Sequence, residues 1–117
     1  MYKKIIFYEN HFIEFYQKQD PKVKGKIQYV FELIKQVSQV PEKFLKHLTG
    51  TNGLYEIRVE YQSNIYRIFC CFDEEQLVVL FNGFQKKSQK TPQKEIDKAE
   101  QLMKDYFNNK NNSYGKI

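Results

Sequence analysis

A chain of 117 residues has room for one hydrophobic core and not for two, so a single domain is expected. Its 41% hydrophobic and 16% aromatic content excludes a disordered tail, and its net charge of +5 makes it basic. The 17 lysines, against only two arginines (Arg58 and Arg67), favour nucleic acid or an acidic protein as partner, although solvated lysines alone give the same charge. Both cysteines are adjacent, Cys70 and Cys71. Strand neighbours point to opposite faces, so the pair is a poor structural disulfide. No spaced Cys/His set suggests zinc, and no metal or organic cofactor is implied. Nothing at the N-terminus has the pattern of a signal peptide and no run approaches a membrane span, so a cytoplasmic protein without membrane partners is expected.

The first element in chain order is a short β-branched and aromatic strand over Tyr2–Glu9. Asn10 can cap a helix that carries Phe12, Phe15 and Tyr16 on one face, with His11 structural at its start. Asp20-Pro21 opens a longer helix whose apolar stripe is Val23, Ile27, Val30, Phe31, Ile34 and Val37. Pro41 ends it and starts a short helical turn, "PEKFLKHL", which closes at "TGTNG". Three strands follow at Leu54–Tyr61, Ile65–Phe72 and Leu77–Phe84, with connections short enough for antiparallel neighbours. The last helix is expected from about Pro92 to Phe107, giving one domain over 1–107 and a flexible polar tail over 108–117. The order β-α-α-β-β-β-α makes an α+β fold, a largely antiparallel sheet with helices on one face and the other face open.

On that open face the two arginines matter. Alternation puts Leu54, Glu56, Arg58 and Glu60 on one side of their strand, and Ile65, Arg67, Phe69 and Cys71 on one side of the next. A two-residue Ser63-Asn64 turn would pair Glu60 with Arg67 and place Arg58 on the same face, one diagonal away; a three-residue loop would put the arginines on opposite faces. The simplest role for Glu56 and Glu60 is charge partner. As open-face residues, both arginines should be removable with little loss of stability.

Beyond the last strand "NGFQKKSQKTPQKE" gathers Lys86, Lys87, Lys90 and Lys94 where the sheet hands over to a helix opened by Thr91-Pro92. Cations there oppose the helix dipole, so an anion that completes the site explains them better than local stability does. Opposite strand faces separate Lys86 from Lys87; Lys87 is slightly favoured as the one that faces the site.

The stretch from "GLYEIRVEYQSNIYRIF" to "NGFQKKSQKTPQKEI" resembles the HigB-like branch of the RelE/ParE toxin superfamily. The resemblance covers about half of the chain, through Leu-Tyr-Glu-Ile-Arg, Tyr-Arg-Ile and Gly-Phe-x-Lys-Lys-Ser-x-Lys-Thr-Pro. It implies an RNA-cleaving toxin that acts on messenger RNA in the ribosome and is neutralised by a helix-turn-helix, HigA-like antitoxin. By position it implies Arg58, Arg67, the basic-loop residues Lys86, Lys87 and Lys90, and Phe84 beside them as functional candidates. The chemistry of RNA cleavage makes Arg58, Arg67, Lys86 and Lys87 the catalytic candidates, with Lys90, Lys94 and Phe84 on the RNA. Lys46 is a candidate phosphate contact and His47 a candidate for reaching the site, as a residue near there does in some relatives. The bland alternatives are that Phe84 and Tyr106 are core aromatics. A ParE-like inhibitor of gyrase, which needs no such basic constellation, is the alternative function. A plain RNA-binding module would be expected to carry an aromatic RNP-like or glycine-loop signature, which is absent.

Overall fold

The computed structural model describes residues 2–87 and 90–115, with side chains described as far as Lys110. Strand β1 is Lys4–Phe7, followed by helices α1 (His11–Gln17) and α2 (Pro21–Gln36). Strands β2 (Leu45–His47), β3 (Tyr55–Tyr61), β4 (Asn64–Phe72) and β5 (Leu77–Lys86) come next, and helix α3 (Gln93–Gly115) closes the order. The sheet runs β1-β5-β4-β3-β2, parallel between β1 and β5 and antiparallel elsewhere. The α+β class and the largely antiparallel sheet are as expected. The segment "PEKFLKHL" differs: Leu45–His47 extends as edge strand β2 against β3, so β3 is not an edge. Its hydrogen bonds are better satisfied by that neighbour than by one isolated helical turn.

Helices α1 and α2 pack on one face. Phe12, Phe15, Ile27, Val30 and Ile34 meet Ile57, Val59, Ile68, Val78 and Leu80 there. Several of these side chains are fully buried, each worth roughly 1.5–3 kcal/mol of transfer free energy. The second face, expected to be open, is partly covered: Ala99, Leu102 and Met103 of α3 pack on Leu54, Phe69, Cys71, Val79 and Phe81. Adjacent Cys70 and Cys71 therefore enter different clusters, and both are free thiols. Neither Asn10 nor Asp20 makes a side-chain capping bond, although Pro21 opens α2 as expected.

Helix α3 begins at Gln93, one residue later than the Thr91-Pro92 signal suggests, and continues to Gly115, through most of the stretch read as a flexible polar tail. Asn109 Nδ2 donates to Tyr8 Oη at 2.7 Å. Lys110 Nζ donates to both oxygens of buried Asp73 at 2.7 Å. Tyr106 Oη also donates to Asp73, at 2.6 Å, so this tyrosine serves the helix-to-sheet junction. The side chains of 111–117, the rest of that stretch, lie outside the described residues.

Candidate active site

The hairpin between β3 and β4 turns on Gln62 and Ser63, both with positive φ, as in a type I′ turn. Tyr61 therefore faces Asn64, Glu60 faces Ile65, and Arg58 lies directly opposite Arg67. The register differs by two residues from the Ser63-Asn64 alternative. A shift of two keeps every side chain on its face, so the arginines remain together but now sit side by side.

Strand β5 completes the row. The ladder pairs Cys70 with Leu80 but Ile68 with Gly83, so Phe81 and Asn82 together oppose Phe69 as a β-bulge. The extra residue reverses the alternation beyond it. Phe84 then lies beside Arg67, and Lys86 beside Ile65, on the face that carries the arginines. Phe84 packs at 5.7 Å on Phe69 at the edge of the α3 cluster, so it borders both the core and the site. The bulge is pinned from α3, because Asn82 Nδ2 donates to the backbone oxygen and to Oε1 of Glu95, both at 3.1 Å.

Two like charges directly opposite on neighbouring strands repel unless something lies between them. Glu56 lies between them. Its Oε1 accepts from Arg67 Nη1 at 2.9 Å and from Arg58 Nε at 3.2 Å. Thr91 Oγ1 donates to Oε2 of the same carboxylate at 3.4 Å. Glu56 and Arg67 are buried, with side chains only 4% and 5% exposed, whereas the Arg58 side chain is 31% exposed. This corrects the expectation that both arginines stand on an open face. Burial lowers the Arg67 pKa, Glu56 and Glu60 counter that, and Arg58 adds to it; a guanidinium nonetheless stays charged. Its Nε is buried and meets no acceptor among the described groups.

Lys86 is partly buried, and its pKa is lowered first by desolvation and then by Arg67 and Arg58, with Glu56 opposing. Lys87 follows the strand and is exposed, as are Lys90 and Lys94. The slight preference for Lys87 is therefore overturned by the bulge, which turns Lys86 toward the arginines. Lys46 pairs with Glu56 across β2 and β3, and is exposed on the arginine face. His47 is placed on the other face: its ring meets that of Tyr55 edge-on at 5.2 Å, and Tyr55 packs on the α1–α2 core. Strand alternation from Lys46 to His47 accounts for this, so His47 is not brought to the arginines. Thr91, whose hydroxyl could cap the helix that it opens, instead bonds Glu56. No short-range signal distinguishes the two uses of its hydroxyl.

Elsewhere, a concavity of about 610 Å³ is lined by Lys4, Asp73, Glu74, Glu75, Gln76 and Leu77 at the β4–β5 turn. Its acidic lining at the far end of the strands makes it unlike the arginine row. Among the described residues, no cluster of His, Cys, Asp or Glu is arranged to hold a metal ion, and no helix is long and apolar enough to cross a membrane.

The family model for phage derived protein Gp49-like (DUF891) matches residues 14–104, from α1 into α3. The chain belongs to the Gp49-like family. A chain of the archaeal RelE–RelB complex from Pyrococcus horikoshii OT3 aligns in structure with a TM-score of 0.55 and 14% identity, over 78% of this chain and 100% of that one. That identity speaks for fold alone, and the fold is RelE-like. No curated protein matches the sequence. The Gp49-like match takes in every candidate residue, from Lys46 on β2 to Lys94 on α3.

Proposed function

We propose that this Gp49-like protein is the toxin of a type II toxin–antitoxin module, a HigB-like endonuclease that cleaves messenger RNA on the ribosome. The observation that carries the proposal is the directly opposed pair Arg58 and Arg67, with Lys86 beside it on the same face. Three cations face the two carboxylates Glu56 and Glu60, and exposed Lys46 and Lys87 flank them. A phosphate would relieve that surplus and give the buried Arg67 Nε an acceptor.

The pair suits a phosphorane. Two guanidiniums one ladder rung apart can each take a non-bridging oxygen, where charge develops in the transition state. The 2′-oxygen attacks the adjacent phosphorus and its proton passes to water. The bond to the 5′-oxygen breaks, and Lys86 gives that oxygen a proton, leaving a 2′,3′-cyclic phosphate and a 5′-hydroxyl. A lowered pKa makes Lys86 a better acid than a solvated lysine. Lys87, Lys90, Lys94 and Lys46 would hold the neighbouring backbone, and Phe84 would border a base. Alignment of the message by the ribosome supplies what a shallow site does not. The partner that silences the protein is a HigA-like helix-turn-helix antitoxin, and the site of action is the cytoplasm.

Brief induction without antitoxin, followed by mapping of transcript 5′ ends, tests the reading. Codon-phased cuts in translated messages, absent with Arg67→Lys, are expected. Intact messages at confirmed expression would overturn it, and intact messages accompanied by DNA damage would point to gyrase.

A further inference from the structure

Glu56 holds both arginines through a single oxygen and holds the entry of α3 through the other. Arg67 Nη1 and Arg58 Nε both donate to Oε1, and Thr91 Oγ1 donates to Oε2. The carboxylate is buried, so this geometry is not one of many solvated arrangements. Without it, two guanidiniums on facing rungs would repel and swing apart, each on its own flexible stem. An oxygen shared by two guanidiniums also mimics what a phosphoryl oxygen offers them. The carboxylate thereby presets the arginine spacing that a phosphate requires and leaves other N–H donors of each fork free to bind it. Through Thr91 the same residue also bonds the entry of α3.

We propose that Glu56 is a positioning residue, with Thr91 as its second anchor: it fixes Arg58 and Arg67 in the geometry for anion capture and takes no proton in the reaction. The catalytic consequence rests on the nuclease reading above; the positioning itself does not. Glu56→Gln keeps the shape and removes the charge. Since a negative group is then gone from an anion site, KM for RNA should stay the same or fall. The rate constant kcat should drop at least about tenfold, because the transition state meets misplaced donors.

Two measurements on the full chain decide the matter. The first follows the arginine Nε–H signals by nitrogen-15 NMR. In the wild type, Arg58 and Arg67 should give resolved, slowly exchanging signals. In Glu56→Gln these should move toward the position of a free guanidinium, with the backbone spectrum retained. Thr91→Val should move them part of the way, and Thr91→Ser should restore them. The second measures kcat and KM on programmed ribosomes. A purely structural role would lower the melting temperature while leaving the arginine signals, and kcat per folded molecule, unchanged; that outcome overturns the proposal. Should Glu56→Gln fail to fold, the Thr91 pair still decides it, because unshifted signals in Thr91→Val sink the coupling. A wild-type protein that cuts nothing removes the nuclease reading, and the arginine signals then still report whether Glu56 holds the pair.

Discussion

Arg58 and Arg67 are one ladder rung apart, yet burial gives them different duties. Arg67 is 4% exposed and reaches Glu56 at 2.9 Å, whereas the Arg58 side chain is partly exposed. Removing the guanidinium of Arg67 leaves Glu56 with Arg58 and Thr91, so the buried carboxylate is weakened in its partners and not abandoned. The loss from Arg67→Met should be about 2 kcal/mol, below the roughly 3–5 kcal/mol of a buried charge stripped of its only partner. Arg58→Ala should cost less than about 1 kcal/mol, as half-solvated pairs do. Urea denaturation of both variants checks the order. Equal losses would mean that the two arginines share one environment, contrary to their burial. For Arg67 this revises the expectation from sequence that its removal costs little stability.

At the scale of elements, α3 is held to the sheet by apolar packing near its middle and by polar bonds toward both ends. Asp73 anchors the C-terminal side. Burial pushes its pKa up, but the bonds from Lys110 and Tyr106 outweigh that and hold the carboxyl below its usual value. A depressed carboxylate pKa stabilises the fold above the unfolded value of about 3.9, and this contribution is lost as pH falls through the folded value. Acid should therefore loosen α3 below about pH 4, read as loss of amide protection around Tyr106. Asp73→Asn should remove that step and cost about 2 kcal/mol at neutral pH. A helix whose protection in acid is the same in both proteins would refute the latch. On the opposite face α1 lies close on β5 at Gly83, where an added Cβ would come within 2.7 Å of the Phe15 ring. Phe15 is itself buried and has little room to yield. Gly83→Ala should thus destabilise by about 1–3 kcal/mol, measured by thermal unfolding; a neutral result would mean that α1 can shift on the sheet.

For the molecule as a whole, charge is spread widely but only part of it lines the arginine row. Lys86 and Lys87 lie at or next to the row, whereas Lys98 and Lys104 are exposed on α3. If RNA follows the row, changing Lys86 and Lys87 together to glutamine should abolish cleavage. It should also flatten the slope of log affinity against log salt by about 1.4, two contacts on a single strand. The same change at Lys98 and Lys104 should alter the slope by much less. Equal changes in slope would reduce the cluster to general positive charge. Steering by the net charge of +5 would then remain, without a site.

What was legible in the sequence alone was whatever depends on local pattern. Period-3.6 stripes located α1 and α2, and β-branched and aromatic runs located β1, β3, β4 and β5, because each pattern states which face an element must bury. The same alternation placed Arg58 and Arg67 on one face, since a register shift of two residues cannot change a side chain's face. Which rung each occupies was beyond local pattern, because both registers bury the same residues. In the folded sheet the turn falls on Gln62 and Ser63. Strand β2 was missed because three residues carry too little periodicity to outweigh a helical turn. The bulge at Phe81 and Asn82 was equally silent, and it decides that Lys86, not Lys87, turns toward the arginines. Lys46 and His47 were named together from one segment, and the extended backbone sent them to opposite faces. Coverage of the second face by α3, and with it the burial of Glu56 and Arg67, arises from contacts between residues far apart in the chain. Charge and face are local properties that composition and alternation reveal; desolvation is a property of the assembled structure, and only the tertiary fold could assign it.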